Sequence, residues 1–390
     1  WILLASWSGV FRIGESVTLP MVSLLIMAIT VAFHPSIKFE LAKLGFLFAT
    51  FSILIFLNLL QVNIKTVNYL VVYIGFFTSI YIIVQYARVT SSSFLNLVNF
   101  LSVLLILFVI MIEIFGARIF DFNIFDYVPR SKENTALVGG GLIKRAYGFS
   151  TEPTQVGNYL LTCGLLAMSY SLKYHRGSIS LIFSCFWLFG LLLTFSAASM
   201  VLLGLNLFAL ILFGLPRFKS SSQRWFLKKQ SVKYFFGTFL ITWIFLTFTN
   251  ILNNAIVIAG FTKILSKITV TQNNVSAIQR FDMFKYSFSL FSESPLIGFG
   301  FGYLSSKDLM SPINWYLMLL AEGGLISFIL LMLVLAILFS NVTFVKLNLL
   351  EKMSLFNGLF YLVFMSTFYS MGLWVALFLC IGMSRNDSRD

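Results

Sequence analysis

Leu101-Ser102-Val103-Leu104-Leu105-Ile106-Leu107-Phe108-Val109-Ile110-Met111-Ile112 is an unbroken stretch without charge, inside a longer apolar run at 94–115 whose first ionisable residue is Glu113. About 20 apolar residues in helical form cross the hydrocarbon layer of a bilayer. A run of this length with nothing charged at its centre therefore reads as a membrane-spanning helix. Comparable runs occur at 18–33, 41–60, 67–87, 153–172, 178–197, 198–216, 234–252 and 313–340. The stretch 353–383 is long enough for two short spans with a break near Ser370, and residues 1–10 read as the end of one more. The expectation is an all-α, polytopic integral membrane helix bundle of about 11–12 transmembrane helices. It forms a single transmembrane domain over 1–390.

Composition points the same way. The chain is 59% hydrophobic, 17% aromatic and 11% charged, whereas a soluble domain carries about 25% charged residues. So small a charged complement cannot cover a soluble surface, and lipid must solvate most of the chain. The first residue is Trp1, so the native start is expected to precede it, and no cleavable signal peptide is readable. Cys163, Cys185 and Cys380 all lie inside apolar runs and read as packing residues. His34 and His175 fall in different short loops, which excludes a His-rich metal site, and no cluster supports an all-carboxylate one.

Orientation follows from the short loops. The segment from Arg217 to Lys233 carries Arg217, Lys219, Arg224, Lys228, Lys229 and Lys233 and no acid, the signature of a cytoplasmic loop. Counting outward, the loops with Arg88, with Lys173 and Arg176, with Lys346 and Lys352, and the tail with Arg385 and Arg389 also fall inside. Two large extracytoplasmic loops remain, at 116–152 and 253–312. The first holds Arg118, Arg130, Lys132, Lys144 and Arg145; the second holds Lys263, Lys267, Arg280, Lys285 and Lys307. These cations either are simply solvated or line an outer-face pocket for an anion. The net charge of +13 does not decide, because much of it is the topology signal. Nucleic acid is a poor partner, as no basic soluble module exists to hold it.

Three segments carry chemistry. In Lys144-Arg145-Ala146-Tyr147-Gly148-Phe149-Ser150-Thr151-Glu152-Pro153-Thr154-Gln155, Pro153 suits the first turn of a helix, and Ser150, Thr151 or Glu152 can cap it. The helix N-terminus with Arg145 nearby is a ready anion site, or else an ordinary capped helix with a snorkelling arginine. In the second segment, Phe281, Phe284, Phe288 and Phe291 share one helix face, while Asp282, Lys285, Ser289 and Ser292 take a polar side. This reads as an amphipathic helix lying flat at the outer interface with Arg280 at its start. Pro295-Leu296-Ile297-Gly298-Phe299-Gly300-Phe301-Gly302 then follows. No βαβ unit surrounds it, so it reads as a tight apolar re-entry turn rather than a nucleotide site. The third segment, Asn314 to Leu325, places Glu322 several residues inside a span. A carboxylate there needs pairing or water, and a protonated or arginine-paired anchor is the expected state; Glu113 is a weaker case of the same kind. Gly323 and Gly324 permit close helix approach.

In this order the segments resemble the family of bacterial O-antigen polymerases and O-antigen ligases, over about residues 144–325. Arg145, Gly148, Phe149 and Pro153 match its first outer loop, and Arg280, Pro295, Leu296, Gly298 and Gly300 match its second. Asn314, Tyr316, Leu317, Leu320, Ala321, Glu322, Gly324 and Leu325 match the helix that follows. Ile313 stands where the ligase pattern has a histidine, which removes a base for the acceptor and tilts the resemblance toward a polymerase.

The resemblance implies an inverting, metal-independent glycosyltransferase without cofactor, acting at the periplasmic face of the bacterial inner membrane. Its donor and acceptor would be undecaprenyl-diphosphate-linked oligosaccharides, with membrane lipids and a chain-length regulator protein as further partners. Arg145 and Arg280 would neutralise the departing diphosphate. Glu152 would position or deprotonate the acceptor hydroxyl, or merely cap its helix. Lys144, Tyr147, Lys285, Asn314 and Tyr316 are the candidate substrate-binding residues. A ligase, transferring the glycan to lipid A core, and a lipid-linked oligosaccharide flippase are the alternatives. A flippase should carry ionisable groups within many spans, and these spans carry few.

Overall fold

The computed structural model describes residues 1–2, 12–13, 17–37, 39–59, 64–113, 146–148, 150, 152–174, 177–194, 196–214, 275–307, 314–364 and 371–386. The described chain is helical apart from a two-residue antiparallel ladder, Arg12–Ile13 with Val17–Thr18. Its helices are α1 (Leu19–Ala32), α2 (Leu41–Leu59), α3 (Ile64–Ala87), α4 (Ser92–Met111), α5 (Pro153–Tyr174), α6 (Gly177–Leu193), α7 (Ala197–Gly214), α8 (Val275–Glu293), α9 (Tyr303–Ser306), α10 (Trp315–Phe339), α11 (Leu349–Tyr361) and α12 (Met371–Asn386). Among them, Leu41–Asn58, Thr66–Ala87, Ser92–Met111 and Trp315–Phe339 are long and apolar enough to cross a membrane. Shorter apolar helices run over Leu19–Ala32, Ile179–Leu193, Ala197–Ala209 and Met371–Ser384. The expected count of crossings also draws on the run 234–252, which lies outside the described residues. The stretch 353–383, expected to hold two short spans, contains parts of two helices, α11 and α12, of which Met371–Ser384 is among the shorter apolar helices; Ser370 lies outside the described residues.

Helix α5 is the centre of the bundle, packing on α4, α6, α7, α11 and α12. Sixteen of its 22 residues are buried, so it faces protein rather than lipid. That explains why it tolerates Asn158, Thr162, Ser169 and Ser171, all buried; each of these polar groups can find a partner inside a bundle that hydrocarbon would not supply. Thr162 Oγ1 bonds back to the Asn158 carbonyl, and Ser171 meets Ser180 Oγ on α6 at 2.9 Å. Small residues set the spacing. The Trp187 indole of α6 lies over Gly164 and donates to the Leu160 carbonyl at 2.6 Å.

The helices around it present two kinds of face. Phe46, Phe48, Phe56, Leu101, Phe108, Ile182 and Phe208 are exposed on the protein, and such apolar surface is what lipid tails solvate. Inside, Tyr73, Phe77, Trp374 and Phe301 pack ring on ring.

Contacts group the helix ends. At one end, the cation of Arg88 after α3 bonds Glu40 before α2 at 2.6 Å and also reaches Asn341 after α10. Ser93 at the start of α4 lies 3.4 Å from Tyr174 at the end of α5. At the other end, Ala146 N–H donates to Leu193 O at the end of α6, and Trp315 N–H donates to Leu362 O after α11. The Tyr361 hydroxyl of α11 bonds the Thr154 carbonyl at the start of α5.

Candidate functional site

The three segments singled out in the sequence meet the bundle in different ways. Residues 146–148 are tied between two helices. Glu113 Oε2, at the end of α4 and buried, accepts the amides of Tyr147 at 3.0 Å and Gly148 at 2.8 Å. Gly148 sits at φ 53°, where a side chain would be strained. The chain then turns through Ser150, whose N–H donates to the Tyr147 carbonyl and whose hydroxyl donates to Gln155 Oε1 at 2.6 Å. Glu152 follows, exposed, and its carbonyl accepts the Gln155 N–H as α5 begins. Proline at the first position of α5 costs nothing there, because that N–H has no helical acceptor. Arg145 and Lys144 lie outside the described residues. Tyr147 is buried.

Helix α8 has three faces, where the sequence suggested two. Met283, Ser287 and Leu290 are partly or fully buried, and α8 packs on α10. Phe281, Phe284 and Phe288 are exposed on a second side, with Phe291 half-buried. Asp282, Lys285, Ser289 and Ser292 are exposed on a third. Lys285 lays its ammonium over Phe281, 4.6 Å from the ring centroid. Arg280 stands three and seven residues before Met283 and Ser287, so it continues the bundle-facing stripe one turn beyond its buried part. Its side chain is exposed, yet enough protein surrounds the guanidinium for burial to lower its pKa from the ordinary arginine value. The charge of Glu152 acts in the opposite direction. Glu152 and Arg280, from separate segments, are thus brought within electrostatic reach of each other.

The glycine turn after α8 interlocks with a break in α10. Gly324 adopts φ 65°, ψ −176° inside that helix, which frees backbone groups that hydrocarbon cannot satisfy. The turn satisfies them. Leu325 N–H donates to Pro295 O at 2.8 Å, Ile326 N–H to Leu296 O at 3.2 Å, and Gly300 N–H to Glu322 O at 2.7 Å. The two backbones touch so closely that a Cβ on Gly298 would lie 2.4 Å from Glu322 O, and one on Gly324 2.4 Å from Leu296 O. Gly298, Gly300 and Gly302 all have positive φ. A tight turn packed against a neighbouring helix is therefore what the sequence led one to expect. The expected arginine partner of Glu322 is corrected: its carboxyl oxygens instead accept the amides of Gly302 and Leu304, each at 3.0 Å. Asn58 of α2, which no motif marks, accepts Phe301 N–H at 2.9 Å.

Asn314 and Tyr316 have structural duties here. The Asn314 side chain caps α10 by accepting Leu317 N–H at 3.1 Å, and the Tyr316 hydroxyl donates to Leu359 O at 3.1 Å. Among the described residues no group of three or more His, Cys, Asp or Glu is arranged to hold a metal ion.

These features define a membrane-embedded, all-α bundle with opposite charges gathered at one end. No protein-family model matches the chain, and no curated protein matches it.

Proposed function

We propose that this protein is a bacterial surface-polysaccharide polymerase, a glycosyltransferase of the inner membrane whose site faces the periplasm. The observation that carries the reading is that the charge of Glu152 acts on Arg280, since both belong to the segments that resemble the O-antigen polymerase family. In the proposed step the acceptor sugar hydroxyl attacks the anomeric carbon of the donor glycan from the face opposite the leaving group. A new C–O bond forms, the bond from anomeric carbon to phosphate oxygen breaks, and undecaprenyl diphosphate departs with the electron pair. Arg280, with Arg145 of the segment 144–155, stabilises the charge that develops on the diphosphate, without a metal ion. Glu152 orients the hydroxyl and takes its proton.

The support is physical. A guanidinium at the end of a bundle-facing stripe, partly desolvated, is a stronger anion partner than one in bulk water. A carboxylate whose field reaches it offsets part of that charge until an anionic ligand arrives. The exposed phenylalanines of α8 give the lipid part of such a ligand an apolar approach.

Cells lacking the protein should cap their glycolipid with a single repeat unit. Uncapped core with accumulated lipid-linked polymer would instead make it a ligase, and repeat units trapped on the cytoplasmic leaflet would make it a flippase.

A further inference from the structure

We propose that α8 is a partition, with membrane lipid along its phenylalanine face and, along its polar face, a water-filled cleft that descends into the bilayer as far as the glycine turn. The cleft takes the hydroxyl-rich head of a lipid-anchored glycan; that choice of ligand, unlike the geometry, rests on the function proposed above.

Helix α10 serves as the ruler. It is long and apolar enough to cross a membrane. Its 25 residues rise about 37 Å, about 7 Å more than the hydrocarbon layer. Gly324 stands nine residues into it, about 14 Å along the axis. Wherever the layer sits on α10, the level of Gly324 is therefore about 6–14 Å inside it. At that level the carbonyls of Pro295 and Leu296 accept the amides of Leu325 and Ile326. Glu293 closes α8 only two residues before Pro295, so the last turn of α8 reaches this depth instead of lying flat on the membrane.

The surroundings of α8 are divided. Asp282, Ser289 and Glu293 fall within about 40° of one another around the helix, and Phe284 and Phe288 lie about 100–180° away from them. All five are exposed. Phe288 and, just past the helix, Leu296 are 57% and 59% exposed, surface that acyl chains solvate. Acyl chains do not solvate a carboxylate, which at membrane depth turns to a protein interior or to water. Glu293 is exposed, so water reaches it. The polar face also suits sugar hydroxyls. Asp282 and Glu293 are carboxylates, and Ser289 and Ser292 donate to carbonyls of their own helix, leaving their oxygens free to accept. Lys285 turns its ammonium onto Phe281. Acceptors that outnumber cations fit the O–H donors of a glycan and repel a phosphate. A molecule with such a head and a long apolar tail can lay one part on each side of the helix.

The test uses the full chain in lipid nanodiscs with Cys185→Ala; Cys163 and Cys380 are fully buried and stay. Single nitroxide labels are placed at Ser289→Cys, Glu293→Cys, Phe284→Cys and Phe288→Cys, with Ile329→Cys on the exposed side of α10 as the lipid reference. Relaxation by oxygen, which concentrates in lipid, and by a water-soluble nickel chelate reads the surroundings of each label without requiring activity. The nickel-to-oxygen ratio should be several-fold higher at positions 289 and 293 than at 284 and 288, and the ratio at 288 should approach that at 329. Equal ratios at the four α8 positions overturn the partition. A label at 288 several-fold wetter than the one at 329 puts α8 on the membrane surface and overturns the cleft. Should Glu293→Cys not insert, the chain neighbours Phe288→Cys and Ser289→Cys decide alone: a split supports the partition, and no split sinks it.

A second arm reads the ligand. Undecaprenyl-diphosphate-linked repeat unit should lower nickel access at position 289 several-fold, while undecaprenyl phosphate without a glycan leaves it unchanged. Access unaltered by the repeat unit, or lowered as far by the bare lipid phosphate, overturns the glycan assignment. Split ratios in a chain that makes no polymer defeat the transfer reading and leave the partition standing. Polymer made by a chain with equal ratios defeats the partition alone.

Discussion

Arg280 shows how a charged side chain is aimed by helix phase. It continues the stripe of Met283 and Ser287 one turn beyond its buried part, and burial with the charge of Glu152 sets its surroundings. Arg280→Ala should cut polymer formation by about a hundredfold, the scale of removing one charge-stabilising donor, while membrane insertion stays normal. The length distribution of the glycan on a gel reads this directly, and unchanged lengths remove Arg280 from the site. Arg280→Lys should also be impaired, because an ammonium cannot fork onto two phosphate oxygens. Both Arg280 and Glu152 were legible in the sequence, one beside a phenylalanine-spaced helix and the other before Pro153. Asn58 was not: an asparagine near the end of an apolar run carries no local sign that it will hold Phe301 N–H. Nor was the use of Glu113, since its partners at 147 and 148 are 34 and 35 residues away.

At the scale of elements, the interlock of the glycine turn with α10 is the most constrained feature. Gly298 and Gly324 have positive φ and leave no room for a Cβ, because backbone atoms lie 2.4 Å away. Alanine at either should destabilise the protein by about 1–3 kcal/mol from backbone strain alone, with further cost from the overlap. Gly204 in α7 is the control, with nothing within 4 Å of its virtual Cβ. Gly204→Ala should stabilise by about 0.5–1 kcal/mol. Thermal unfolding in detergent compares the three, and equal melting temperatures would contradict the interlock. The turn itself was readable from Pro295 to Gly302, but its receptor was not. Trp315 to Phe339 reads as one continuous apolar helix, and only the paired glycines hinted at a close approach. The break at Gly324 becomes intelligible once the carbonyls of Pro295 and Leu296 are seen to meet the freed amides.

For the whole molecule, two ends do different work. One end is tied by Glu40, whose carboxyl is held down to about 2 by hydrogen bonds from Lys43 and Arg88. Its pKa is below the ordinary 4.5, so the tie is complete above that value, weakens as pH falls toward 2 and is lost below. Its side chain is 42% exposed, so solvent screening keeps the contribution under about 1 kcal/mol. The difference in melting temperature between the native chain and Glu40→Gln should shrink steadily as pH drops from about 5 to about 2. A difference independent of pH would mean that the ion pair contributes nothing. The bundle as such was legible, because an apolar run of membrane length admits few structures. Its packing was less so: α5 reads as an ordinary span, yet it is the buried centre, and its buried Asn158 and Thr162 mark that only in retrospect. The other end gathers Glu113, residues 146–148, Glu152 and Arg280, and the proposed transfer depends on it. Its most direct test is the purified protein in nanodiscs with polyprenyl-diphosphate-linked repeat units, with and without a chelator, followed by sizing of the glycan. A ladder of products longer than one repeat, unchanged by the chelator, is the predicted result; donor left unextended, or extension that stops when the chelator is added, would contradict it.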